Sequence, residues 1–355
     1  MPEWKSNKLP QYDPLRTYEW NYRHAPQPVS IDIPAVQGTW HFCDLPVESP
    51  LGIPAGPLLN GNWVQYYASL GFDVLTYKTV RSESRACYPL PNLQPVNCGQ
   101  LHGDEAELPS TDRMDGSWAV SFGMPSQPPD VWRADIEATR DRLKSGKVLV
   151  VSVVGSVQPS WSIKQLAEDY ALCAHWAVES GADCVETNLS CPNVSTCDGQ
   201  LYQQPAQAAI VTATVRDQIG RTPLIIKIGH VTGPENAAEL LDAVHPYVDA
   251  IALTNSVAAT VRDSSGRLLF EGQRRGICGA AIRAASMSQT QMFHWLITER
   301  ELPIRLIGVG GVSTADHVRE YLAAGATAVQ LATSAMTNPA IAIQLRKDLA
   351  TVYGS

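Results

Sequence analysis

From residue 51 onward, short apolar runs alternate with longer amphipathic ones. LGIPAG (51–56), FDVLTYK (72–78), KVLVVSVV (147–154), DCVETN (183–188), PLIIKIG (223–229), VDAIALTN (248–255), IRLIGVGG (304–311) and ATAVQLAT (326–333) read as strands. Between them, apolar residues at helical spacing predict helices over 64–71, 130–145, 203–218, 233–245, 281–298, 314–324 and 339–352. The clearest helix follows SIKQ (162–165), a capping box. There Ile163, Leu166, Ala167, Tyr170, Ala171 and Ala174 share one face, and Gly181 ends the run. Strands that are apolar at nearly every position are buried on both faces, as in a parallel sheet covered by helices. Eight strand–helix units predict a (β/α)8 TIM barrel of the α/β class rather than an open doubly wound sheet. Residues 1–50, rich in proline and aromatics and without a period, predict an N-terminal arm packed on a barrel of residues 51–355. Residues 79–127 predict a long irregular insert after strand two, and a second irregular loop runs from strand six to Gly279.

Composition narrows the class. The 355 residues are 45% apolar and 17% charged, enough for a large core, with a net charge of −8. An acidic chain without a lysine-arginine run is a poor nucleic-acid binder. No apolar run approaches the ~18 residues of a membrane span, and the first twenty residues hold no apolar signal core. None of the eight cysteines forms a C-x-x-C pair, so no metal site is expected and the thiols read as reduced in a cytoplasmic protein.

In a barrel, catalytic groups sit where strands end. The polar or small residues there are Ala55, Gly56, Lys78, Thr79, Asn188, Lys227, Thr254, Asn255, Ser256, Gly310, Gly311, Thr333 and Ser334. Paired glycines in GVGGVST (308–314) and the ATSAM stretch (332–336) predict a phosphate site in loops seven and eight. Lysines at the ends of buried strands admit three readings: a structural ion pair, a Schiff base, or two cations flanking a ring that becomes anionic on reduction. The last, with the phosphate site, fits flavin mononucleotide (FMN). Cys191, in ETNLSCPN (186–193), is either a structural thiol or a proton-transfer group between the amides of Asn188 and Asn193. His230 is a further candidate and more often a loop residue. Cys173 and Cys184 fall inside a helix and a strand and are expected to pack; Cys197 has no evident role.

ETNLSCPN, LTYKT, IIKIG, ALTNSV, GICG and GVGGVSTADHVREYLAAGATAVQLATS together resemble the dihydroorotate dehydrogenase family over residues 45–350. They are also similar to the pyrimidine-reducing domain of dihydropyrimidine dehydrogenase. The resemblance implies an FMN-binding (β/α)8 barrel with Cys191 as the proton-transfer base of the soluble class. Lys78 would touch both flavin and substrate, and Lys227 the flavin. Asn188, Asn193, Asn255 and Ser256 would bind substrate, and Phe122, Gly123 and Met124 would offer it backbone N–H groups. Asn188 and Thr254 also count among the flavin contacts, Ala55, Gly56 and Thr79 would line the flavin, and Gly279, Gly310, Gly311, Thr333 and Ser334 its phosphate. One departure stands out: VSFGM (120–124) carries Val120 where the family has a substrate asparagine. A lost ring hydrogen bond costs roughly 1–3 kcal/mol if its partner stays buried, so the expected substrate is dihydroorotate/orotate or a related, less polar ring or an enone. The expected activity interconverts CH–CH and C=C beside a carbonyl, with hydride passing to or from flavin N5. A Schiff-base lyase using Lys78 or Lys227 and a non-catalytic FMN-binding protein are the alternatives. The expected partners are a small-molecule substrate and an external electron donor or acceptor, with no nucleic acid and no membrane; a homodimer is one option.

Overall fold

The computed structural model describes residues 9–158, 160–190 and 197–350. Eight parallel strands close into a barrel in chain order. They are β1 (Leu51–Ile53), β2 (Val74–Val80), β3 (Val148–Val153), β4 (Cys184–Asn188), β5 (Leu224–Lys227), β6 (Ala250–Leu253), β7 (Arg305–Val309) and β8 (Ala326–Gln330). The covering helices are α1 (Gly61–Ser69), α2 (Pro129–Arg142), α3 (Ile163–Glu179), α4 (Pro205–Ile219), α5 (Pro234–Val244), α6 (Arg283–Glu299), α7 (Ala315–Ala323), the short α8 (Thr333–Thr337) and α9 (Ile341–Ala350). Parallel strands need such crossovers, and the helices bury the outer face of the sheet.

Alternation along each strand splits the apolar side chains between two cores. Leu75, Tyr77, Val151, Val185, Leu224, Ile226, Ile251 and Val329 point outward, in the core shared with the helices. Val74, Val148, Val150, Cys184, Ile225, Ala250, Ala252, Ile307 and Ala328 fill the barrel itself. Cys173 and Cys184 are fully buried. The capping box at Ser162 and Gln165 starts α3. Helix α1 begins at Gly61, three residues before the apolar period, because the Asn60 side chain caps it by accepting from the Trp63 N–H.

The first fifty residues are more regular than their sequence predicts. A helix over Tyr18–Arg23 is capped by Thr17. Trp40–Phe42 pairs with Leu45–Val47 in a hairpin whose turn residues Cys43 and Asp44 have φ of 48° and 67°, the left-handed values a tight hairpin needs. Phe42 and Cys43 join the barrel-interior core and close its N-terminal end. The two irregular loops also acquire order. Leu93–Pro95, Ser117–Val120, Arg275–Gly279, Val257–Arg262 and Glu107–Pro109 form one five-stranded sheet, in that order, over the opposite end of the barrel. Its strands are short and pair across long stretches of chain, Thr260 opposite Glu107 for example, so no local period announces them.

A buried charge cluster ties the ends of the chain together. Asp73, fully buried, accepts from Ser49 Oγ, Lys147 Nζ and Arg346 Nη2. Arg346, on α9, also donates from Nε to the Gly71 carbonyl (2.7 Å) and from Nη1 to that of Pro34 (3.0 Å). Removing the buried carboxylate leaves Lys147 and Arg346, among the described residues, with no buried counter-charge, only the exposed Glu48 carboxylate and neutral acceptors. Asp73→Asn is therefore expected to lower unfolding free energy by about 3–5 kcal/mol, read from urea denaturation; a loss within error contradicts a supporting role for the cluster.

Candidate active site

A cavity of about 280 Å³ opens where the barrel strands end. Lys78 ends the inward row of β2, and Lys227 ends β5; they are 7% and 4% exposed. Both line the cavity, as do Thr79, Asn188, Thr254, Asn255 and Ser256. Ala55 and Gly56 bound it from loop one, and Phe122, Gly123 and Met124 from the insert. Gly279, Gly310, Gly311, Thr333 and Ser334 complete the side nearest strands seven and eight. Sequence-predicted residues from seven of the strand–loop junctions thus meet in one space. Cys191 and Asn193 lie outside the described residues. His230 lies apart, in an adjoining polar hollow with Tyr202 and Arg274; burial pushes its imidazole below the usual range, partly offset by Glu105.

The polar wall is held in place by its own hydrogen bonds. Asn188 Oδ1 accepts from the Ser190 N–H (3.1 Å), and the Asn188 carbonyl accepts from Tyr170 Oη (3.2 Å). Asn255 Nδ2 donates to the carbonyl and hydroxyl of Ser190 (3.2 and 3.3 Å). Ser190 therefore anchors the start of the segment that carries Cys191. Arg81 donates to the carbonyls of Gly155 (2.6 Å) and Met124 (3.2 Å), fixing the end of the insert against strand three.

The opposite wall is apolar: Leu93, Trp118, Val120 and Phe122. Val120 pairs with Leu93 and Gly276 in the five-stranded sheet. Lys78 Nζ sits 5.5 Å from the centroid of the Phe122 ring, a cation–π contact. Behind Phe122 stand Tyr12 and Tyr18, with ring centroids 6.0 and 6.1 Å away. The N-terminal segment thus backs the wall that faces the lysine.

Gly310 and Gly311 follow β7 with φ of 144° and 66°. A Cβ on either would meet Ser286 or Arg283 at 2.8 or 2.6 Å, so only glycine lets the backbone turn here. Tyr321 Oη donates to the Gly310 carbonyl (2.8 Å), and Ser334 Oγ to that of Val312 (2.5 Å).

Among the residues of the site that escaped sequence reasoning, three bear on its chemistry or shape. Gln330 is the last inward residue of β8; its Nε2 donates to Thr76 Oγ1 (3.2 Å) while its Oε1 is buried without a partner among the described residues. The rule that found Lys227 finds Gln330 too, once the strand is ended at 330 rather than 333. Cys278 lines the cavity beside Lys227 and donates to the Asn255 carbonyl (3.6 Å). Burial pushes its thiol up to about 11, against a smaller downward pull from Lys227. Trp118 enters only through the pairing of the insert with Arg275–Gly279, which no local pattern encodes.

No helix among the described residues is long and apolar enough to cross a membrane. A family model described as dihydroorotate dehydrogenase matches residues 105–353. A dihydroorotate dehydrogenase of Dictyostelium discoideum is 30% identical over 96% of this chain and 98% of its own length. The catalytic subunit of a dihydroorotate dehydrogenase B (NAD(+)) from Desulforudis audaxviator is 27% identical over 86% and 89%. The crystal structure of a DHODH from Eimeria tenella in complex with ferulenol superposes with a TM-score of 0.72 at 18% identity, covering 94% of this chain and 89% of that one, a likeness of fold. With the barrel, the lysine-bearing mouth and these relatives in agreement, the chain belongs to the dihydroorotate dehydrogenase family and is an oxidoreductase.

Proposed function

We propose that the chain is an FMN-dependent oxidoreductase acting on a CH–CH bond beside a carbonyl, with dihydroorotate and orotate, or a closely related ring, as its substrate pair. The observation that carries this reading is the convergence of two buried lysines, Lys78 and Lys227, on one cavity that also holds the Gly310–Gly311 turn. A ring that gains negative charge on reduction suits two cations on its walls. The cavity also carries orphaned polar atoms, Thr254 Oγ1 and Gln330 Oε1, buried and without partners among the described residues. A planar group with both donor and acceptor edges would satisfy them. The residues present fit FMN: Lys78, Thr79, Thr254 and Lys227 toward the ring, and Gly279, Gly310, Gly311, Thr333 and Ser334 toward the phosphate. When bound, FMN supplies a two-electron acceptor or donor.

This chain's own residues do the rest. Asn188, Asn255 and Ser256 present hydrogen-bonding groups to a polar ring edge, and the amides are pre-set by their bonds to Ser190. Leu93, Trp118 and Phe122 keep water from the other side. Cys191 follows Ser190 directly and is the group we assign to proton transfer at substrate carbon. Cys278 is a poor rival, because burial holds its thiol neutral at working pH. An electron donor or acceptor from outside the cavity completes the cycle.

Removing a general base typically costs 10²–10⁴-fold in rate. Cys191→Ala should keep the bound FMN spectrum while turnover with dihydroorotate falls by roughly that factor; turnover at the wild-type rate would sink the assignment. A brief iodoacetamide pulse at pH 8, followed by peptide mapping, should leave Cys278 unmodified. Rapid alkylation there would show that its thiol is not the neutral group described.

A further inference from the structure

Among the described residues, the barrel interior holds one acidic side chain that the reaction does not use. Cys184, Ile225 and Val150 point inward, so two-residue alternation turns Glu186, Lys227 and Ser152 inward as well. Asn188 stands opposite Lys227 in the β4–β5 register, and Glu186 stands opposite Ile225 and, on the other side, Ser152. Glu186 and Lys227 are therefore diagonal neighbours on adjacent strands, with no ion pair within 4.0 Å between them, so they are coupled through the field and not by contact. Glu186 is 1% exposed, and its Oε1 has no hydrogen-bond partner among the described residues. The other interior polar groups at this level, Thr76, Ser152 and Gln330, are neutral. The charged pattern is thus one acid below two ammonium groups, Lys227 and Lys78, that line the cavity. A carboxylate in such surroundings is expensive to keep unless a nearby positive charge offsets it.

We propose that Glu186 is a positioning residue: the fixed counter-charge of Lys227 that sets how readily the bound flavin accepts electrons. The inference rests on the FMN reading above. Two lysines alone would favour the reduced, anionic ring strongly. An acid beneath them opposes that field, and in a dry interior the opposition is little screened. Glu186 does not line the cavity, so it acts through Lys227 and through its field rather than by contact.

Replacing the carboxylate by a neutral amide should move the equilibrium toward reduced flavin. The test is the reduction potential of the purified holoprotein, measured by anaerobic dye equilibration, with FMN affinity as a second readout. Glu186→Gln is expected to raise the reduced-to-oxidised ratio at a given potential about tenfold, or about 30 mV for a two-electron couple. Glu186→Asp, which keeps the charge, is expected to stay near the wild-type potential. In a Lys227→Gln background the effect of Glu186→Gln should shrink, as it must for coupled groups. Should Glu186→Gln not fold, Glu186→Ala, which leaves room for a water, makes the same comparison with the same expected direction. An unchanged potential in the neutral variant overturns the proposal, and so does an Asp variant that shifts as far as the neutral one. Wild-type protein that binds no FMN refutes the cofactor reading itself, whereas FMN binding with an unmoved potential refutes only the role of Glu186.

Discussion

Closing eight parallel strands into a barrel forces every second residue of each strand into one sealed column, and that constraint decides where this chain keeps its charge. The lower part of the column is filled by valine, isoleucine, alanine and a cysteine, and sealed below by Phe42 and Cys43 of the hairpin. Among the described residues, the buried polar side chains of the column sit in its upper part: Thr76, Ser152, Glu186 and Gln330, and then Lys78, Lys227 and Asn188 at the mouth. An ammonium at that level is out of bulk water but within reach of a ligand, so it is held ready for one. Chemistry at the mouth follows from the geometry of closure.

The walls of the mouth come from parts of the chain far apart in sequence. The strand ends supply the amides and lysines. The insert after β2 and the loop after β6 zip into a five-stranded sheet that supplies Trp118 and Val120. The N-terminal segment supports Phe122 from behind through Tyr12 and Tyr18. Asp73, Lys147 and Arg346 fasten the C-terminal helix to the base of the barrel, away from the cavity. Stability and chemistry thus rest on separate charge clusters, one at each end of the same strands.

The barrel was legible because its strands are apolar on both faces and its helices carry a plain amphipathic period. The lysines and amides at the mouth were legible by the same logic, as polar residues ending apolar runs. Gln330 was hidden by a strand read three residues too long, and Glu186, although read within the strand DCVETN, was given no role because its inward position was not drawn from the alternation. The five-stranded sheet was invisible, since Glu107–Pro109 and Val257–Arg262 recognise each other only after the barrel brings them together. Order in the first fifty residues escaped notice for a similar reason: the hairpin is made by two left-handed turn residues and by the barrel floor it fills, not by an alternating pattern of its own.

We propose that Lys78 and Lys227 flank a flavin that exchanges electrons with a ring substrate. The most direct measurement is the visible spectrum of the purified protein during anaerobic titration with dihydroorotate. Oxidised flavin absorption should be present and should bleach in proportion to the substrate added. A colourless protein, or a flavin that dihydroorotate and related reduced rings leave fully oxidised, would contradict it.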